Sequence, residues 1–557
     1  MKNILSYCSI ACIFVTASFA SSCSDLELNE STYSSKELQF SDFAHVKQVM
    51  TNVYGYLQSG FLAVGGTTML DCASDDAVYA SYPDPVRVFH DGSWNPVNTI
   101  DDVWGRMYSA IRAANYLIEN CPEDFPDCSY NDDYSRNKAQ LVKYPWEAKA
   151  LRAYFHAELL KRYGNIIIAD RTYSPEEVNS LPQSSFDEAA EWIANELEEA
   201  SKNLPDNYSG DYFAEIGRAT RGFALAARAR VLLYAASPLN NPSGDKKKWA
   251  RAAAAAKDMI DANAKSNTYA LQNFTKGMHT ESRTVIFMIR ENASNAFEGA
   301  NFPIGYEGGN SGMCPSLNLV EAFDMKDGSV FDPVADADAL LDPSRRDPRL
   351  GAYVLSNGDT FKEETLETFW GGRNGQPLAN ATPTSFYLKK FVIEKTSFTT
   401  GSIRTYSHIY PLYRLSEVYL NYAEALFEAS GNAEFTGTLE GVNYTMSARE
   451  ALNKVRAAYT MPEVPSSPAG EFRSRLRNER RVELCFEGHR FWDVRRWKIA
   501  SECNRIYGLS ITRDSDEICH AEKVLVAERV WNDKMYRYPI SDAELHKNTG
   551  LTQNEGW

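Results

Sequence analysis

Apolar residues recur at helical spacing along most of this chain. Phe186, Ala190, Ile193, Leu197, Ala200 and Leu204 alternate steps of four and three, which places them on one stripe of a helix. Ser185 and Glu188 form a capping box at its start: the serine oxygen takes a free backbone N–H and the glutamate reaches back. Trp146, Ala150, Ala153, Ala157 and Leu160 make a second stripe, stopped at Gly164. Leu412, Leu415, Tyr419, Tyr422 and Leu426 make a third, stopped near Gly431. Ala-rich helices are predicted over 220–236, ahead of Pro238, and over 247–264. Small residues on these faces let neighbouring helices approach closely, and several helices pair with a partner of similar length. The predicted fold class is mainly α, a tetratricopeptide-like helical-repeat scaffold, although the strict repeat consensus is missing.

The texture changes between 271 and 400. Gly, Pro, Asn and Asp multiply, and apolar runs shorten to strand size at Thr284–Ile289 and Phe386–Val392. This predicts a loop and short-strand insertion between an N-terminal helical block (37–270) and a C-terminal one (401–557). Loops that long usually carry function, and residues 60–100 share their character. The start of the chain reads differently again. Met1-Lys2-Asn3, an apolar run from Ile4 to Ala20 and then Ser21-Ser22-Cys23 predict a secretory signal peptide over 1–22. The run is shorter than the roughly 20 residues a spanning helix needs. Phe19 to Cys23 looks like a bacterial lipobox, without its usual Leu. Cys23 is then the lipidated residue, 23–36 a polar tether with Asp25, Glu27 and Glu30, and the acyl chains the hold on a membrane. Cleavage without lipid would instead free the protein into the periplasm.

Charge and composition narrow the chemistry. With 58 Lys+Arg against 74 Asp+Glu, the net charge of −16 argues against a nucleic-acid partner. A 44% hydrophobic and 24% charged chain is too ordinary to be disordered. Seven cysteines remain after Cys8, Cys12 and Cys23 are set aside, so at least one is unbridged; Cys121 with Cys128 and Cys503 with Cys519 are candidate pairs. No two of the eight His lie four apart, and there is no GxSxG, P-loop or GxGxxG motif. Asp75-Asp76 offers a carboxylate pair of glycosidase type, but 74 acids make such pairs by chance. Asp324, Asp327, Asp332, Asp336 and Asp338 lack the order of a calcium loop and read as a solvated acidic loop, so neither metal nor cofactor is expected.

The aromatics say more. At 12% of residues they must fill core or offer their faces to a ligand. Trp104 enters a helix and reads as core. Trp94, Tyr306 and Trp370 sit beside glycines in irregular segments, where a flat ring can meet the C–H face of a sugar; loop-anchoring core is the competing reading. The densest motif, Arg477 to Trp497, alternates Arg and Glu with aromatics. It predicts a helix, a corner at Gly488 and a second helix, stitched by Arg–carboxylate pairs, in preference to a catalytic arginine cluster.

At this motif the chain resembles the SusD/RagB family of surface nutrient-binding lipoproteins. The matching stretches are Glu479 to Leu484 with Phe486 to Trp497, Leu412 to Ala425, Arg346 to Arg349, Trp104 to Asn115, and Tyr538 to Ile540 with Leu551 to Trp557. The resemblance implies tetratricopeptide-like helix pairs and an outer-membrane lipoprotein that caps a SusC-type TonB-dependent transporter. It implies a protein that holds an oligosaccharide or polysaccharide, or in some members a peptide, and does no chemistry on it. By position Trp94 and Asn98 match the family's N-terminal platform, with Arg87 and Asp76 as polar partners and Tyr306 and Trp370 as further contacts.

Overall fold

The structure, a computed structural model, describes residues 35–208, 215–276, 278–279 and 282–557. The signal peptide, Cys23 and nearly all of the tether lie outside the described residues. Two compact units are distinguished, one of residues up to Val49 with Pro122–Leu141, the other of Met50–Cys121 with Val142–Trp557. In the smaller unit, Phe43 meets the edges of Phe125 and Tyr134, and Asp124 accepts hydrogen bonds from Tyr134 and Lys138.

The larger unit is built on nine principal helices: α1 (Trp104–Asn120), α2 (Tyr144–Tyr163), α3 (Phe186–Asn203), α4 (Arg221–Ala236), α5 (Lys246–Ser266), α6 (Leu415–Ser430), α7 (Ala448–Ala457), α8 (Ala469–Leu484) and α9 (Arg490–Arg496). Each of α1 to α6 packs on the next, and α8 packs on α6. The repeat-like stack expected from the apolar stripes is therefore present. Its local signals act as read: Ser185 and Glu188 close their capping box, and α2 ends at Gly164 with φ +80°. Ala224, Ala227, Ala252, Ala253 and Ala256 are buried where α4 meets its neighbours α3 and α5, so the backbones approach with little side chain between them.

Strands differ from the expectation. Leu412 does not belong to a helix: Tyr406–Arg414 is a strand, antiparallel to Val285–Ser294, and α6 begins only at Leu415. From His408 to Arg414 every residue is buried, so the strand shows none of the alternation of a half-exposed one. Only Tyr387–Leu388 of the run 386–392 is strand, paired with Val354–Leu355. The C-terminal block is not purely helical either, since Arg505–Arg513 and Cys519–Glu528 form a hairpin within it. Cys128, Cys503 and Cys519 are free thiols, so neither candidate bridge forms.

The Arg477–Trp497 motif folds as α8, a corner at Gly488 (φ +71°) and α9. Its carboxylates and guanidiniums close a buried network. Arg349 binds Asp347 and Glu479 (each 2.6 Å) and Glu483 (3.0 Å). Arg414 joins Glu483 to Glu487 (both 2.7 Å), and Lys390 completes Glu487 (2.6 Å). Arg456 bridges Glu479 and Asp324. Arg480 and Arg496 share Asp493, and Arg496 also binds Glu424. Such charges are tolerable in a core only because every one is paired; stranding one costs about 3–5 kcal/mol. The acidic loop reading changes accordingly: Asp324 is buried and occupied by Arg456 and Arg475. Among the described residues no three His, Cys, Asp or Glu converge as a metal site, and no helix is long and apolar enough to cross a membrane.

Candidate functional site

The N-terminal loop expected to carry the platform is part of the core. Trp94 is 3% exposed, with Phe89, Tyr538 and Trp557 around it at 4.9–5.1 Å between ring centroids. Its face is therefore not available to a ligand, and the expectation is corrected. Asn98 is exposed, and its amide donates within its own turn to the Ser93 carbonyl (3.0 Å). Arg87 is half-exposed and lies 3.7 Å from Asp91, to which it is loosely paired. Asp76 is fully buried against Arg481 at 2.6 Å, so it cannot be a polar partner for a bound molecule.

Asp75 shares this fate. Arg490 grips both of its oxygens (2.7 and 2.8 Å) and Arg481 lies 3.0 Å away. Burial works to raise its carboxyl, but the two guanidiniums outweigh burial and hold it well below the usual carboxylate range. A glycosidase acid/base pair needs carboxyls open to substrate. Both of these are closed by arginines of α8 and α9.

The loops that carry the other two aromatic candidates are in contact. Loops 302–312 and 365–377 interlock: the Asn374 amide donates to the Ile304 carbonyl (2.6 Å). Gly305, at φ +93°, lies so close to the second loop that an added Cβ would stand 2.5 Å from the Arg373 carbonyl oxygen. Tyr306 is half-buried over Phe361, and its hydroxyl donates to the Phe361 carbonyl (3.1 Å). Burial pushes this phenol up from its ordinary range, which keeps the donor proton in place. Arg373 sits 5.8 Å from the Tyr306 ring and pairs with Glu364 at 2.6 Å.

Trp370 is 60% exposed. Its backbone N–H is anchored to the Ile511 carbonyl of the C-terminal hairpin (2.7 Å), and Gly371 is closed onto Gln376 (2.6 Å). A rigid turn thus holds a large apolar ring in water, where burial would otherwise be worth about 2 kcal/mol or more. Arg513, on the same hairpin, lays its guanidinium 4.3 Å above the neighbouring Phe369 ring.

Among the described residues Tyr82 is the most exposed large ring, at 93%, and sequence reasoning missed it. It follows the short strand Ala77–Tyr79, which pairs with Met313–Pro315 and so continues from the 302–312 loop. Its setting, Ser81-Tyr82-Pro83, carries a turn signal that could have singled it out. Arg373, in Gly372-Arg373-Asn374, was legible in the same way. Arg513 was not, because only the hairpin brings it to Phe369.

Comparison with known proteins agrees with this architecture. The SusD family model matches residues 270–557, and a model described as starch-binding associating with outer membrane matches 27–233. SusD-like protein P38 of Formosa agariphila is 27% identical over 421 residues, covering 72% of this chain and 72% of its own length. A SusD-like protein of Bacteroides fragilis superposes with a TM-score of 0.74 at 23% identity, over 93% of this chain and 98% of its own. A SusD-like carbohydrate-binding protein from the same species reaches 0.72 at 22% identity, over 92% and 99%. The helical stack, the buried Arg–carboxylate corner and a family model spanning more than half of the residues lead to one assignment: this chain belongs to the SusD family.

Proposed function

We propose that the protein is a cell-surface glycan-binding lipoprotein. It captures an oligosaccharide or polysaccharide on the loop face that carries Trp370 and Tyr306. It then passes the glycan to a SusC-type TonB-dependent transporter, held at the outer membrane through lipid on Cys23. The observation that carries this reading is the Trp370 indole, fixed outward by backbone hydrogen bonds and left 60% exposed. Family membership and the carbohydrate-binding description of the B. fragilis relative support it. A hydrolase using Asp75 or Asp76 gains no support, because arginines occupy both carboxylates.

The test is isothermal titration of the protein against a polysaccharide panel, with Trp370→Ala beside it. Saturable binding that the variant loses supports the reading. Absence of binding to every glycan, or binding to oligopeptides alone, overturns it. The anchor has its own test: Cys23→Ser should move the protein from the membrane to the soluble fraction and abolish labelling by a fatty-acid probe.

A further inference from the structure

Arg373, in the loop of Trp370, has a carboxylate partner, and Arg513, on the strand that anchors Trp370, has none among the described residues. Glu364 is taken by Arg373 at 2.6 Å, and Glu367 accepts the Arg373 backbone N–H. Asp514 is taken by His520 at 2.7 Å and by the backbone N–H groups of Asp516 and Ile518. The Arg513 side chain makes no ion pair and no hydrogen bond with any described residue. Its guanidinium lies over Phe369, the residue before Trp370, and its strand supplies the carbonyl that fixes Trp370. Stacking holds the planar head in place without using its five N–H donors, so the fork is preorganised and vacant. A fork of this kind matches the two oxygens of a carboxylate or sulfate group.

The rest of the molecule sharpens the point. A chain of net charge −16 repels an anionic ligand at long range. A guanidinium fork left free of carboxylates, on the strand that anchors Trp370, is the group that would bind such a ligand in spite of that field. A neutral sugar would make no comparable use of it.

We propose that the loop face selects an acidic glycan, with a sugar ring stacked on Trp370 and a carboxylate or sulfate group of the same chain bound by Arg513. This rests on the glycan-binding reading above. The test uses the full protein and oligosaccharides of equal length: a neutral galactan, an oligogalacturonate and a sulfated galactan. One or both acidic ligands should bind about tenfold or more tighter than the neutral one. Arg513→Ala should erase that preference and leave neutral binding within about twofold. Arg513→Lys, which keeps the charge and loses the fork, should fall between. Trp370→Ala should weaken all binding. Equal or tighter binding of the neutral ligand, or a preference that survives in Arg513→Ala, overturns the acidic assignment and leaves the glycan reading standing. Failure of all three ligands to bind overturns the acidic assignment, while the glycan reading is decided by the wider polysaccharide panel. Whichever acidic ligand binds identifies the group.

Discussion

Trp94 and Trp370 are the same side chain in similar glycine-flanked loops, and they meet opposite fates. Trp94 is enclosed by Phe89, Tyr538 and Trp557, whereas Trp370 stands in solvent on an anchored turn. Trp94→Ala should therefore cost about 3–5 kcal/mol of stability, read as a shifted urea midpoint. Trp370→Ala should leave that midpoint within about 0.5 kcal/mol while removing glycan binding. Nothing local distinguishes the two in the sequence. Two of the three ring partners of Trp94 come from the last twenty residues of the chain, and no spacing rule links a loop near residue 94 to Tyr538 and Trp557. Asp76 misleads for the same reason: its owner, Arg481, is remote in sequence. Trp370 was readable because its surroundings are its own glycines.

At the scale of elements, legibility had two sources. Helices α3 and α5 face solvent on one side, so their apolar period survives in the sequence, whereas α2 and α4 have no exposed residue and are legible from their small residues and their stops at Gly164 and Pro238. The strand Tyr406–Arg414 is buried throughout its last seven residues, and its run was absorbed into the helix that follows it. The Arg-rich corner was readable because alternating Arg and Glu at helical spacing has few other uses. Two substitutions test these accounts. Ser185→Ala removes the N-cap of α3 and should cost about 1 kcal/mol, with the loss restored by Asp at that position. Glu483 lies between Arg349 and Arg414, with Tyr459 also donating to it at 3.2 Å. Glu483→Ala removes one carboxylate from each of two buried guanidiniums, which keep Asp347, Glu479 and Glu487, and should cost about 3 kcal/mol by urea denaturation, more than any exposed pair.

Over the whole molecule, buried titratable groups set how stability depends on pH, and they act with opposite signs. Burial, reinforced by the nearby Asp76 carboxylate, pushes Asp71 up to about 7. One of its oxygens accepts the Phe486 N–H at 2.8 Å and the other has no partner. The folded chain keeps this proton where the unfolded chain has already released it. Stability from Asp71 is thus lost as pH rises from about 4 to 7 and is constant above that. Burial holds His156 neutral down to about 3, and Arg496, working against burial, holds Glu424 down at about 2. Those contributions are lost as pH falls, from about 6.5 for His156 and about 4.5 for Glu424. Urea midpoints measured from pH 3 to 8 should therefore pass through a maximum, and Asp71→Asn should flatten the decline on the neutral side alone. The buried network also has a consequence in time. Arg490 and Arg481 clasp Asp75 and Asp76, and Arg529 holds the carbonyls of Cys72, Ser74 and Ala77. Residues made early in synthesis thus wait for residues made near its end. A nascent chain lacking α8 and α9 has no means of neutralising those aspartates in a dry interior, so it stays open, hydrated and vulnerable to proteases. Closure is deferred until the C-terminus arrives.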